Sequence, residues 1–187
     1  MTEQKSLRRD ARDNAAKLHA AALDIFLAKG LDAPLNEIAR AAGVTIGTLY
    51  HRFGSREGLI DAVIPDIVGS RLQVLAAAVL AHDTPRQRLE AFVQGLMDLQ
   101  RADPALNDAI LGRYPGATAL LGICERSATL GQTLVREAHA DGSLSPGFTE
   151  DDLFCLLWLA GIASRDPDAP EGWQRVIGHS LESAWTA

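Results

Sequence analysis

Apolar positions recur every third or fourth residue along most of this chain, the repeat of a helix that buries one face. No stretch alternates strictly as a half-buried strand would, and no internal repeat or low-complexity tract stands out. From about Arg9 to Lys29, Leu18, Ala22, Ile25 and Phe26 share one face, and Gly30 ends the run. Leu31 to Pro34 is a turn, with Pro34 placed to start a second helix, Leu35 to Ala42, that turns Ile38, Ala39 and Ala42 inward. A third helix runs from Thr45 to Phe53. A fourth is expected from Ser55 to about Ala81, interrupted by Pro65. Either it kinks there or two helices meet, and the continuing pattern Ile67, Leu72, Leu75, Val79 favours a kink. Thr84 and Pro85 cap and open a helix to about Ala102; Pro104 opens a short one ending near Gly112. Three more follow, Ala117 to Ala140, one started by Thr149, and Glu171 to Trp185, making about nine and an all-α fold.

The segment Gly43 to Phe53 carries the most information. Gly43 suits the left-handed turn that ends the second helix. Thr45 is a good N-cap, and Leu49 and Phe53, four residues apart, form an anchoring apolar edge. Gly47, Thr48, Tyr50 and His51 fall away from that edge, an odd set for a plain solvated surface and a suitable one for phosphates and base edges. Ala39, Gly43 and Leu49 have the spacing of a helix-turn-helix over about residues 35–53.

With Ile38-Ala39, Ala42-Gly43-Val44, Gly47-Thr48-Leu49-Tyr50, Phe53 and Ser55-Arg56-Glu57, the region from about Asn14 to Val63 resembles the tetracycline-repressor (TetR/AcrR) family of transcriptional regulators. The resemblance implies an N-terminal three-helix DNA-binding domain, residues 1–63. A long helix joins it to a C-terminal helical bundle, residues 64–187, for ligand binding and dimerisation. By the same match, Ile46, Gly47 and Tyr50 are candidates to face bases, and Thr48, Tyr50, His51 and Arg56 to hold phosphates. Asn36 on the second helix is a candidate for either, and Thr45 caps the reading helix. Arg56 stands where the family usually has a phosphate-contacting Lys. Pro34 replaces a common hydroxyl cap, and Gly58 departs from the pattern and should loosen its turn.

Charge qualifies this reading. The chain carries a net charge of −6, yet residues 1–63 hold nine Lys/Arg against eight Asp/Glu. The acidic remainder would orient the first part towards a duplex. Arg8, Arg9 and Arg12 read either as an arm for phosphates or the minor groove, or as a solvated tail. No apolar run approaches the roughly 18 residues of a membrane span, and no secretory signal is visible, which suggests a cytoplasmic protein. Cys124 and Cys155 have no metal or redox spacing and are expected as buried small hydrophobes. The five histidines lack ligand spacing, and no nucleophile elbow, phosphate loop or dinucleotide motif occurs. Glu150, Asp151 and Asp152 sit at a helix start, where the dipole favours acids. No enzyme, metal or cofactor is indicated.

Leu153 to Leu159 is apolar on every side, so a second copy or the chain itself must cover it. The resemblance favours a copy, because the last two helices of such proteins usually form a four-helix dimer interface. A homodimer would read a pseudo-palindromic operator in double-stranded DNA. The resemblance also implies a small-molecule effector, here apolar, in a pocket drawn from Phe92, Leu96, Met97, Ile110, Tyr114, Leu120, Ile123, Cys124, Phe154 and Trp158. Ligand binding would release the operator, making the protein a repressor. Two alternatives stay open: a DNA-binding protein without a ligand, and a helical enzyme or interaction module with a vestigial helix-turn-helix.

Overall fold

In a computed structural model of the chain, the backbone is described for residues 2–186 and the side chains for residues 13–186. Helix α1 spans Thr2–Lys29, earlier than the expected start at Arg9; the side chains of Arg8, Arg9 and Arg12 lie outside the described residues. Helices α2 (Leu35–Ala41) and α3 (Ile46–Phe53) follow. The expected fourth helix is two, α4 (Arg56–Val63) and α5 (Pro65–Leu80), which meet at 51°. Pro65 has no N–H for the Asp61 carbonyl, and its ring crowds that oxygen. The ladder resumes on either side, from Ile64 N to Ile60 O at 2.9 Å and from Val68 N to Ile64 O at 3.1 Å. The kink expectation thus gives way to a sharp break, because one missing bond and one steric clash fall at the same turn.

Helices α6 (Pro85–Ala102), α7 (Pro104–Ile110), α8 (Thr118–Ala140), α9 (Glu150–Ala163) and α10 (Trp173–Glu182) complete the ten found among the described residues. A single antiparallel bridge, Leu144 to Trp185, ties the loop after α8 to the residues after α10. Among the described residues no single helix is long and apolar enough to cross a membrane; α4 and α5 pass that test only as a bent pair, and Leu59, Ile60, Val63, Ile64, Val68 and Leu72 are buried in the core.

Helix α6 is the axis of the bundle. Leu89, Phe92, Val93 and Leu96 are buried on it, and α5, α7, α8 and α9 pack around it. Leu18, Ala22 and Phe26 of α1 bury against α2, α4 and α7, within the same continuous core. Both ends of α6 are fixed by side chains. Thr84 and Gln87 form a reciprocal capping box, each side chain accepting from the other's backbone N–H. Thr84→Ala should therefore lower stability by about 1 kcal/mol, read as a fall of about 2–4 °C in a thermal melt. At the other end the Gln100 amide donates to Asn107 Oδ1 at 3.2 Å and to the Leu157 carbonyl at 3.2 Å, and Asn107 Nδ2 donates to the Gly161 carbonyl at 3.0 Å. This buried polar knot locks α6, α7 and α9 together.

Helix α9 buries Leu153, Leu157, Ala160 and Gly161, while Trp158 is 51% exposed and Leu159 46%. Cys155 is exposed and Cys124 only half-buried, so neither is the fully buried small hydrophobe expected. Apolar sequence alone could not tell a face packed on α6 from a face left open. Partial burial still pushes the Cys124 thiol up to about 11.

Candidate nucleic-acid interface

Helix α2 ends because Gly43 takes φ +69°, which side chains resist; Val44 N then reaches back to the Ala39 carbonyl at 2.9 Å. Thr45 stays extended, and its Oγ1 accepts from Thr48 N at 3.2 Å, starting α3. The two threonine hydroxyls also lie 2.9 Å apart. Leu49 is fully buried and Ile46 and Phe53 are half-buried against the core, which fixes the roll of α3. Gly47, Thr48, Tyr50 and His51 are consequently exposed, Tyr50 by 48%, with Thr45 beside them and Asn36 exposed on α2. Of the DNA-contact candidates on α3 and its cap, Thr45, Gly47, Thr48, Tyr50 and His51 are exposed, while Ile46 is turned partly into the core.

Arg56 is placed differently. It is half-buried, and its Nη1 donates to the carbonyls of Leu31 at 2.6 Å and Ala33 at 2.8 Å. It holds the α1–α2 turn against the start of α4 rather than extending freely into solvent. Ser55 caps α4 by accepting from Gly58 N at 3.0 Å. A Cβ at position 58 would run into the Phe53 carbonyl, so Gly58 permits a tight turn and does not loosen it. Gly58→Ala should cost about 1–3 kcal/mol in denaturant unfolding, because the obstacle is backbone.

The α1–α2 turn is also gripped by the bundle. Asp108, 1% exposed, accepts from Leu31 N at 2.7 Å and faces Arg113 Nε at 3.4 Å. Tyr114 donates its hydroxyl to Asp32, and Arg113 lies 3.3 Å from the same carboxylate. Arg165 donates to the Lys29 carbonyl at 3.2 Å. The hydrogen bond from the Tyr114 hydroxyl holds the Asp32 carboxyl below its ordinary value; burial opposes it and Arg113 adds to the lowering. Burial pushes Asp108 up, against the pull of Leu31 N–H and Arg113. Asp61 makes a further link: it accepts from Ala119 N and Leu120 N, each at 3.1 Å, capping α8 whose own Ala117 cannot. Of these partners the sequence marks only Tyr114 and Leu120, and both as cavity walls; pairs up to 136 positions apart leave no local signal.

A cavity of about 330 Å³ lies among α6, α7, α8 and α9. Six of the ten residues expected to line a pocket surround it: Phe92, Leu96, Ile110, Cys124, Phe154 and Trp158. The other four do not. Tyr114 is committed to Asp32, Leu120 is core at 2% exposure, Ile123 faces α5, and Met97 borders a groove beside α10.

The molecule is therefore a helical protein with an exposed helix-turn-helix head gripped by a cavity-bearing bundle. Residues 18–63 match the family described as bacterial regulatory proteins, tetR family. Over 155 residues the chain is 38% identical to the HTH-type transcriptional regulator BetI of Cronobacter sakazakii, covering 73% of this chain and 72% of that protein. The chain belongs to the TetR family of transcriptional regulators. A BetI regulator of Rhizobium meliloti is 40% identical over 60 residues, 32% of this chain; the match spans about a third (30%) of that relative. Among solved structures, the transcriptional regulator FadR of Bacillus subtilis in complex with stearoyl-CoA superposes with a TM-score of 0.64 at 15% identity, covering 90% of this chain and 96% of that one. That likeness extends the shared fold through the bundle.

Proposed function

We propose that the chain is a homodimeric, sequence-specific DNA-binding repressor, released from its operator by an apolar small molecule. The observation that carries this reading is the exposed face of Gly47, Thr48, Tyr50 and His51, held outward by buried Leu49 on a helix that a capped turn aims away from the core. Residues 1–63 act as the reading head and 64–187 as the ligand and dimer part, working in the cytoplasm. Thr48, Tyr50 and His51 fix register on phosphates, and Gly47 and Tyr50 approach base edges, with Asn36 alongside. Arg56 serves chiefly by holding the turn behind them. Two copies pair through the open side of α9 and α10, where Cys155, Leu159, Ile162 and Val176 are exposed, and so set the spacing of two half-sites on a pseudo-palindrome.

Release follows from how the 108–114 segment is used. Ala109, Ile110 and Gly112 border the cavity, while Asp108, Arg113 and Tyr114 hold the α1–α2 turn. A ligand that displaces the first set moves the second, and it favours whichever head position admits it. The fold neighbour that holds stearoyl-CoA supports a ligand role for such a bundle.

Selection of bound DNA from a random pool tests the reading: a two-fold symmetric site is expected. Joint replacement Thr48→Ala and Tyr50→Ala should weaken binding of that site about tenfold or more, with an unchanged melting temperature. Recovery of no enriched sequence, or equal binding by the double variant, would count against it.

A further inference from the structure

Helix α8 has a cavity on each side. Besides the space towards α9, one of about 420 Å³ lies towards α5, bounded by Leu72, Leu75, Ala76, Ile123 and Leu130. The two share the same two wall residues, Phe92 and Ser127. Phe92 rises from α6 and lies against Gly131 of α8, where an added Cβ would come within 2.9 Å of its Cε1. Phe92 and Ser127 thus stand at the boundary of both spaces. Rotation of Phe92 about its side-chain bonds would join the spaces into one passage beneath α8. Each alone is at the low end of the roughly 300–1,000 Å³ usual for ligand sites, and the joined passage falls well inside it. Its walls are mostly aliphatic and aromatic, and a passage opened by the turn of one ring would admit an unbranched chain and stop a fused or branched one.

The ends differ in charge. Arg126 and Gln73, both exposed, border the α5 side. Arg126 Nη1 donates to the Gly122 carbonyl at 2.8 Å, and among the described residues no carboxylate pairs with it. Its remaining nitrogens keep the fork geometry that suits a carboxylate. Glu125 borders the far cavity beside Trp158 and would repel an anion there, which fixes the direction of entry.

We infer that the effector is a single-chain amphiphile with an anionic head, its chain threaded beneath α8 past Phe92 and its head held by Arg126 and Gln73. This rests on the effector-binding role proposed above for the bundle. Calorimetric titration of the full chain with straight-chain carboxylates from hexanoate to palmitate tests it, beside the matching alcohols and alkyl trimethylammonium ions. Affinity should rise about threefold to fourfold per methylene and keep rising past the length that fills one cavity. Arg126→Gln should weaken the carboxylates about tenfold and leave the alcohols unchanged. Ser127→Leu, which thickens the boundary from a half-buried position, should cut off the gain at short chains, and Phe92→Leu should shift the best chain longer. A plateau at short chains in the parent protein, tighter binding of trimethylammonium heads, or indifference to Arg126→Gln would each overturn the inference. DNA selection on the unliganded protein separates the two readings. A chain that binds DNA but no carboxylate refutes only the ligand class. A chain that binds the carboxylates as described but no DNA supports the ligand class and refutes the repressor.

Discussion

Gly161→Ala should lower the stability of the chain by about 3 kcal/mol, a fall of about 6–12 °C in melting temperature. The added Cβ would lie 2.5 Å from Gln100 Nε2, 2.8 Å from Asn107 Oδ1 and 3.0 Å from Leu111 Cδ2. A flexible surface side chain would swing away from such a contact. Gln100 and Asn107 are fully buried and hydrogen-bonded to each other and to the α9 backbone. Moving either strands polar groups away from water, at about 1–3 kcal/mol each. Backing α9 away instead opens its seam with α6 and α7. Asn107→Ala should cost a comparable amount without any steric clash, because the Gln100 amide and the Gly161 carbonyl lose their partner. Denaturant unfolding of the two variants checks this. A loss well under 1 kcal/mol in both would show that the knot is dispensable.

Asp108→Ala is the second large effect expected, about 1–3 kcal/mol at neutral pH, since Leu31 N–H and the Arg113 guanidinium both lose their acceptor. Asp108→Asn keeps an acceptor for Leu31 N–H and should cost less. It should also change the pH dependence in a defined direction. Burial raises the Asp108 carboxyl above its ordinary 3.8, so the folded state holds that proton more tightly than the unfolded state. Stability from this group is therefore greatest below the ordinary value and falls as pH rises from there through the folded value. Asn cannot titrate, so the variant should lose that decline. Asp32 works in the opposite sense: its carboxyl is lowered, and its contribution is present above 3.8 and lost as pH falls through its folded value. Melting temperatures of parent and Asp108→Asn from pH 3 to about 7 separate the two limbs. Parallel curves above about pH 4 would show that Asp108 carries no linked proton.

The helix-turn-helix was legible because its determinants are local. The Thr45 cap and the Leu49 anchor act within a turn of the helix they define, and Gly43 sets one backbone angle. The helix starts at Thr84 and Thr149 were readable for the same reason, each box closing over three residues. Pro65 marked a disturbance, but whether it bends or breaks a helix depends on what packs either side. The grip on the α1–α2 turn was not legible. Asp108 and Leu31 are 77 positions apart, and nothing near either announces the other. Arg56 shows the limit of reading roles by position: it lies in the expected helix turn, yet its nearest acceptors are carbonyls of its own chain. The cavity was half legible, because an apolar side chain on α8 faces α5, α6 or α9 by rotation about an axis that periodicity alone does not place.

The two bonds from Arg56 to Leu31 and Ala33 bear on how the proposed repressor would respond to ionic strength. Each cation that neutralises a phosphate frees condensed counterions and steepens the fall of affinity with added salt. A guanidinium already engaged by carbonyls of its own chain releases few or none. With both heads on an operator, the logarithmic salt slope should be shallower by about 2 than for a head whose equivalent cation swings free. Binding by the proposed head would then lean more on hydroxyl and backbone contacts, and would persist at salt concentrations where a purely cationic grip lets go.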